Sequence, residues 1–192
     1  MNIGLFFGSF NPIHTGHLII ANYMVDYTKI DEVWFVVSPQ NPFKTNEELL
    51  HEKHRYAMVQ AAIDDNPKFK ACDVEFYLQR PSYTDYTLTH LRETYTQHTF
   101  ILIIGGDNLQ SFNKWKNYEN ILNNHEVYVY ARTGIVEMPL LANHPNIKLF
   151  EVPLLNISST YIRESIKAGK SIKYLVTENV EKLIVENGFY KE

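Results

Sequence analysis

The sequence predicts a doubly wound α/β fold, in which a mostly parallel β-sheet carries helices on both faces. Short apolar runs that end at glycine, proline or asparagine alternate along the chain with longer segments of helical periodicity. Parallel neighbouring strands need a crossover connection, and helical crossovers cover both faces of the sheet. The chain has 192 residues, enough for one sizeable core, so we expect a single domain over residues 1–192.

The chain opens with a β-α-β pattern. Residues 2–7 form an apolar run that ends at Gly8, as expected for a buried strand that leads into a loop. From Thr15 to about Tyr27 apolar residues recur at helical spacing. The β-branched and aromatic run 33–37 then predicts the next strand.

The alternation continues to the end of the chain, without a repeat, a low-complexity tract or an interdomain linker. The further predicted elements are a helix over 51–64, a strand over 69–74, a helix over 84–95, strands over 100–104, 126–130 and 148–152, and helices over 159–167 and 177–187. This order predicts a Rossmann-like sheet, whose ligands bind beyond the carboxyl ends of the strands.

Charge and cysteine content exclude several classes of protein. The 18 basic and 22 acidic side chains give a net charge of -4, which offers no basic surface for a nucleic acid. Cys72 is the only cysteine, so an intramolecular disulfide is impossible, and we expect it to pack near a strand. We find no signal peptide and no apolar run that approaches a membrane span, and therefore expect a cytoplasmic protein with no membrane partner.

The loop GSFNPIHTGHL at residues 8–18, after the first predicted strand, has the composition of an anion site. We expect His14 in the loop and His17 in the first helical turn. Backbone N–H groups at a helix start favour an anion, glycines such as Gly16 permit its close approach, and two imidazoles can donate hydrogen bonds to phosphate oxygens. Taken singly, the histidines could instead be structural, with His14 capping the helix and His17 packing against the sheet.

A second candidate anion site is ISSTYIR at residues 157–163. Ser158, Ser159 and Thr160 are natural N-cap residues, and Arg163 falls one turn inside the following helix, where its guanidinium can pair two oxygens at once. Such helix caps are common, so this segment indicates an anion site only when it occurs together with the first segment. The two can converge only if the sheet brings their strand ends together.

Both segments resemble signatures of one enzyme family. The first resembles the HxGH motif of the nucleotidylyltransferase superfamily, and in its longer form the GGTFDPIHxGHL of bacterial nicotinate-nucleotide adenylyltransferases; the second is similar to that family's ISSTxIR. Phe7 stands in place of the first glycine, and Asn11 in place of the aspartate. Segments similar to the family's motifs follow in the same order over nearly the whole chain.

The resemblance implies an ATP site in which His14, His17 and Arg163 are catalytic. The segment GGDNL at 105–109 resembles the family's GxDN, where Asp107 would accept hydrogen bonds from ribose hydroxyls. Mg²⁺, bound mainly through ATP and water and without a protein metal site, is the implied cofactor. The implied ATP-binding residues are Gly8, Ser9, Phe10, His14, Gly16, His17, Gly106, Asp107, Ile157, Ser158, Ser159, Thr160 and Arg163.

Other segments similar to the family's bear on the acceptor. RPSYTDYTL at 80–88 resembles PSYTxDTL, with departures at Asp85 and Tyr86. Backbone N–H groups at the start of the helix near Thr84 favour a pyridine carboxylate over a carboxamide, because the amide would present its own donor to them. The implied acceptor-binding residues are Asn11, Lys44, Tyr83, Thr84, Asp107 and Trp115, of which the tryptophan would stack on the nicotinate ring.

The implied reaction is in-line attack by the 5′-phosphate of nicotinate mononucleotide on the α-phosphorus of ATP, which gives nicotinate adenine dinucleotide and pyrophosphate in NAD biosynthesis. The alternatives are a sibling HxGH adenylyltransferase or cytidylyltransferase with another acceptor, such as phosphopantetheine or nicotinamide mononucleotide, and a non-catalytic nucleotide sensor. The sequence lacks GxGxxG, GxxxxGK[ST] and HExxH. Within HEKHR at 51–55, Arg55 is expected to be a substrate-binding or structural residue.

Overall fold

The described residues form one parallel sheet of six strands, where a mostly parallel one was predicted. The computed structural model describes residues 1–40, 49–131, 140–153 and 155–191. The strands are β1 (Asn2–Gly8), β2 (Glu32–Val37), β3 (Phe69–Cys72), β4 (Thr99–Gly105), β5 (Val127–Ala131) and β6 (Ile147–Glu151), and they lie in the order β3-β2-β1-β4-β5-β6.

Helices cover both faces of this sheet. The helices are α1 (Thr15–Tyr27), α2 (Glu52–Ile63), α3 (Thr84–Thr94), α4 (Gly106–Gln110), α5 (Tyr118–Asn124), α6 (Ser159–Lys167) and α7 (Glu178–Asn187). The core on one face contains residues of α1, α2, α6 and α7, and the core on the other contains residues of α3, α4 and α5. The predicted doubly wound class is therefore confirmed. None of the helices in the described ranges combines the length and the apolar character that a transmembrane segment needs.

The two cores follow from side-chain alternation along the strands. In β1, Leu5 belongs to one core and Phe6 to the other, and in β4 Leu102 and Ile103 divide in the same way. All four side chains are buried, which is why the strands of a sheet covered on both faces read as continuous apolar runs.

Two helices and one strand end differ from the expectations. Neither α4 nor α5 was predicted, and the strand expected over 69–74 ends at Cys72, before a short 3-10 helix at Val74–Phe76. The single cysteine thus lies at the end of a strand, as predicted. Burial raises the pKa of its thiol to about 11, so Cys72 stays protonated and unreactive at neutral pH.

The strand order reverses between β1 and β4. The chain runs outward from β1 to β2 and β3, and then crosses to the other side of β1 to form β4. The crossovers on the two sides leave a crevice beyond the carboxyl ends of this central pair, at Gly8 and Gly105. This is where the fold places a ligand.

Candidate active site

A cavity of about 730 Å³ lies beyond the carboxyl ends of β1 and β4. Its walls come from the loop after β1, the start of α1, the start of α4 and the start of α6. All thirteen residues implied for ATP line it, from Gly8 to Arg163. The two anion-site segments, which lie at opposite ends of the sequence, therefore form one site.

Direct hydrogen bonds hold the start of α6 against the loop after β1. Ser159 Oγ donates to the carbonyl oxygen of Pro12 at 2.8 Å, and Arg163 Nη1 donates to that of Asn11 at 2.8 Å. Ser158 caps α6, because its Oγ accepts a hydrogen bond from the Tyr161 N–H at 3.1 Å. The bond to Asn11 therefore fixes the orientation of the Arg163 guanidinium in the cavity wall. A guanidinium has five N–H groups, so others remain to bind a ligand.

The two histidines lie side by side at the start of α1. His14 is the N-cap residue and His17 lies in the first turn, as predicted, and their rings stack at 3.7 Å between centroids. The backbone N–H of His14 donates to His17 Nδ1 at 3.2 Å, so the neutral His17 ring carries its proton on Nε2. His14 Nδ1 is buried without a hydrogen-bond partner among the described residues.

Burial holds both rings in the neutral form. Burial lowers the pKa of His14 from 6.5 to about 4. Burial, and then the neighbouring His14, lower the pKa of His17 well below its usual range. Neutral imidazoles offer N–H donors without the repulsion of two adjacent cations, and an arriving phosphate would raise both pKa values.

Phe10 in the loop and Gly16 in the first turn of α1 explain how the histidine pair is positioned. Phe10, with a left-handed φ of 46°, is buried and places its ring 5.1 Å from the His17 ring. A bulky residue in this region is strained, and such strain is common in binding loops. A Cβ on Gly16 would lie 3.1 Å from the His14 ring, so the glycine between the histidines leaves room for it.

Acid is expected to destabilise the ligand-free protein through His14. Its pKa is lowered in the folded state, so the unfolded chain takes up the proton first, and stability present above pH 6.5 is lost as the pH falls towards about 4. Over this range, the difference in protonation of His14 between the folded and unfolded states should lower the free energy of unfolding by up to about 3 kcal/mol. Denaturant titrations at several pH values should show a shallower loss for His14→Gln and an unchanged loss for the exposed His90→Gln. Equal pH dependence in wild type and His14→Gln would contradict the assignment.

A second pocket, of about 490 Å³, adjoins the first on the side of α3. Tyr83, Thr84 and Trp115 line it, as implied for the acceptor. Trp115 is half-buried and packs 5.1 Å from the Phe112 ring, which fixes its plane. Four residues line both pockets and mark their boundary: Phe7, Gly8, Asn108 and Tyr130.

Two of the residues implied for the acceptor, Asn11 and Asp107, do not line this pocket. Asn11 is buried, and its Oδ1 accepts hydrogen bonds from Tyr190 Oη at 2.9 Å and from the Leu50 N–H at 3.3 Å. Asn11 lines neither cavity, and its hydrogen bonds hold the loop after β1 against Leu50 and Tyr190. Asp107 lines the first cavity only, and Lys44 lies outside the described residues.

Several pocket residues were missed by the sequence analysis. Tyr130 lies next to the end of β5, so the rule that ligands bind at the carboxyl ends of strands could have found it. Glu75, buried in a 3-10 helix, and Lys116, beside Trp115, gave no comparable signal. Burial raises the pKa of Glu75, whose Oε1 accepts a hydrogen bond from Thr87 Oγ1 at 2.9 Å.

The donor set of the first cavity suits a metal ion that is carried by its substrate. In the described part of the chain no three His, Cys, Asp or Glu side chains form a group that could hold a metal, and Asp107 is the only carboxylate among the lining residues. Mg²⁺ fits such a site because it keeps several waters and binds phosphates with few protein ligands.

Comparisons with known proteins agree with this geometry. The family model described as cytidylyltransferase-like matches residues 5–165. The probable nicotinate-nucleotide adenylyltransferase of Cytophaga hutchinsonii is 57% identical over 190 residues, which cover 99% of this chain and 98% of that protein. That of Flavobacterium johnsoniae is 49% identical over 193 residues, which cover 100% of both.

A solved structure shows the same fold. The nicotinic acid mononucleotide adenylyltransferase of Plasmodium falciparum, complexed with NaAD, aligns with a TM-score of 0.80 at 21% identity over 98% of this chain and 97% of that one. The matched family and the curated relatives, together with this fold, show that the chain is a nucleotidyltransferase. Because its relatives are 57% and 49% identical over nearly their whole length, the chain belongs to the nicotinate-nucleotide adenylyltransferases.

Proposed function

We propose that the chain transfers the adenylyl group of ATP to nicotinate mononucleotide, giving nicotinate adenine dinucleotide and pyrophosphate. The observation that carries this proposal is the pair of adjoining cavities. One is lined by two helix starts, two histidines and an arginine, and the other by a tyrosine and a tryptophan. A triphosphate suits the first, a flat pyridine ring suits the second, and their shared wall at Phe7 and Gly8 is where the two substrates would meet.

In this reaction the protein has to align the two substrates and stabilise the negative charge that develops on the phosphate oxygens. The acceptor phosphate is already a nucleophile, so no covalent enzyme intermediate is needed. Holding two reactants in line lowers the barrier by roughly 7 to 11 kcal/mol. We assign the N–H donors of His14 and His17 to the phosphate oxygens on which charge develops, and the Arg163 guanidinium to the triphosphate tail.

Acceptor recognition is assigned to the start of α3 and to Trp115. The ring would stack on the indole, whose half-buried face is held by Phe112. Backbone N–H groups near Thr84 would receive the carboxylate at the positive end of the helix. Lys44 and Asn11 remain part of the proposal only as residues implied by the family pattern.

Mg²⁺ is proposed to enter with ATP, with Asp107 as the nearest protein carboxylate in the described cavity wall. The ion would neutralise charge on the triphosphate. We propose further that residues 1–192 act as one domain in the cytoplasm, with ATP and nicotinate mononucleotide as partners and with neither nucleic acid nor membrane involved.

Pyrophosphate release from ATP and Mg²⁺ should depend on which acceptor is supplied. Purified protein is given nicotinate mononucleotide, nicotinamide mononucleotide or phosphopantetheine as the sole acceptor. We expect turnover to be fastest with the first, because only it has both the flat ring for Trp115 and the negative charge for the start of α3. Omitting Mg²⁺ should abolish release.

Faster release with phosphopantetheine or with nicotinamide mononucleotide would overturn the acceptor assignment and leave the HxGH chemistry intact. If no acceptor gave pyrophosphate while ATP still bound, the chain would be a nucleotide sensor. The assay therefore separates the proposed function from an adenylyltransferase with another acceptor and from a nucleotide sensor.

A further inference from the structure

The segment between α4 and α5 places an ammonium group at the acceptor pocket. Lys116 lines this pocket beside Trp115, and its Nζ lies 4.4 Å from the ring centroid of Tyr83 and 4.8 Å from that of Tyr86. Aromatic faces attract a cation through the ring quadrupole, but, unlike a carboxylate, they do not neutralise it. The lysine is therefore held in place with its charge still available to a ligand.

Asp85 fixes the backbone on which Lys116 is carried. This carboxylate is only 5% exposed, and it accepts hydrogen bonds from Asn117 Nδ2 at 2.8 Å and Asn120 Nδ2 at 2.5 Å. Asn117 has a left-handed φ of 55° and is the N-cap residue of α5, directly after Lys116. Hydrogen bonds to a charged acceptor are strong, so they hold the start of α5 against the start of α3.

The polar lining of the pocket also points to an anionic ligand. Among the described residues that line the pocket are two lysines, Lys114 and Lys116, and one acidic residue, Glu75. Burial raises the pKa of Glu75, which weakens its opposition to a second carboxylate. Ser82, a buried residue of the same lining, lies beside the Glu75 carboxyl group, which also opposes an incoming carboxylate less when such donors surround it.

We propose that Lys116 selects the acceptor by pairing its ammonium group with a pyridine carboxylate in preference to the neutral carboxamide. This inference rests on the proposed function and assigns its selectivity to a side chain in addition to the backbone near Thr84. A carboxylate accepts a charge-assisted hydrogen bond, whereas a carboxamide offers only a neutral oxygen and adds its own donors. Tyr86, through its ring, and Asp85, through the neighbouring Asn117, are the residues that hold Lys116 in place.

The experiment compares Lys116→Gln and Lys116→Arg with wild type. The values of kcat/KM for nicotinate and nicotinamide mononucleotides are measured with saturating ATP, and the dissociation constants of both acceptors by calorimetry. Lys116→Gln should lower the preference for the acid about tenfold in both measurements, with the values for the amide changed less than about twofold. Lys116→Arg should keep the preference, because it retains the charge. The matched control is Lys70→Gln, since Lys70 lies 4.6 Å over the Trp34 ring and lines neither pocket.

The outcomes separate this inference from the proposed function. If wild type prefers the acid and Lys116→Gln keeps that preference, or weakens both acceptors equally, Lys116 does not select the acceptor. If wild type turns over neither pyridine nucleotide, or prefers the amide, the acceptor assignment fails and this inference with it.

Discussion

Replacing His17 with alanine is expected to lower kcat by about two to three orders of magnitude and to change the dissociation constant of ATP by less than about fivefold. Because His17 Nδ1 is occupied by the His14 N–H at 3.2 Å, Nε2 is the donor left for the cavity. A donor aimed at oxygens whose charge grows in the transition state affects turnover more than ground-state binding.

The measurement pairs a pyrophosphate-release assay with calorimetric binding of ATP. His125→Ala is the matched control, because His125 is a buried histidine that bonds the Phe100 carbonyl oxygen at 3.0 Å and lines neither cavity. It should lose stability and keep its turnover. Equal losses of kcat and ATP affinity in His17→Ala would remove the histidine from the transition state and leave it a binding residue.

The elements that sequence predicted well have strong local signals. The helix α6 begins at Ser159, directly after an N-cap serine, and α1 spans Thr15–Tyr27 as expected. The strand β4 stood out as a run of five apolar residues at 100–104. By contrast α4 and α5 have only 5 and 7 residues, too few for a helical period to show.

The residues of the candidate site also fall into those that local sequence signals predicted and those that they did not. The two anion-site segments could be found because each combines a strand end, a helix start and phosphate-binding side chains within a few residues. Asn11 could not be placed, since its partners Tyr190 and Leu50 are distant in sequence and turn it away from both pockets. Lys116 was missed because its role depends on two aromatic rings at the start of α3, Tyr83 and Tyr86, about 30 residues earlier in the chain.

Arg55 shows the largest gap between sequence and structure. Sequence alone left it as a substrate-binding or structural residue, and the structure places it at 1% exposure, under the loops that follow β1 and β2. Its Nε donates to the Leu50 carbonyl oxygen at 2.7 Å and its Nη1 to that of Ser38 at 2.9 Å. The Nη groups also donate to the carbonyl oxygens of Ser9 and Pro39. One guanidinium thus ties together loops that line both cavities.

Arg55→Met is therefore expected to lower the free energy of unfolding by about 3 to 5 kcal/mol, in the range found when one partner of a buried charged network is removed. Methionine fills most of the volume, so the loss would come from four carbonyl groups, one of them buried and three partly buried, that would lose their donor. Arg55→Lys should be intermediate, because a single ammonium cannot reach the same set of carbonyls as a planar fork. Chemical denaturation gives the free energy of unfolding of wild type and both variants. If Arg55→Met does not fold, the comparison of Arg55→Lys with wild type tests the prediction.

Arg80→Met is the matched control for Arg55→Met, and it separates a buried guanidinium from an exposed one. Arg80 Nη2 forms an ion pair with Glu52 Oε1 at 2.8 Å, and the arginine side chain is 45% exposed. Solvent screens such a pair, so this variant should lose no more than about 1 kcal/mol. If Arg55→Met and Arg80→Met lost similar amounts, the four carbonyl contacts would contribute little, and another interaction would have to hold the loops of the two cavities together.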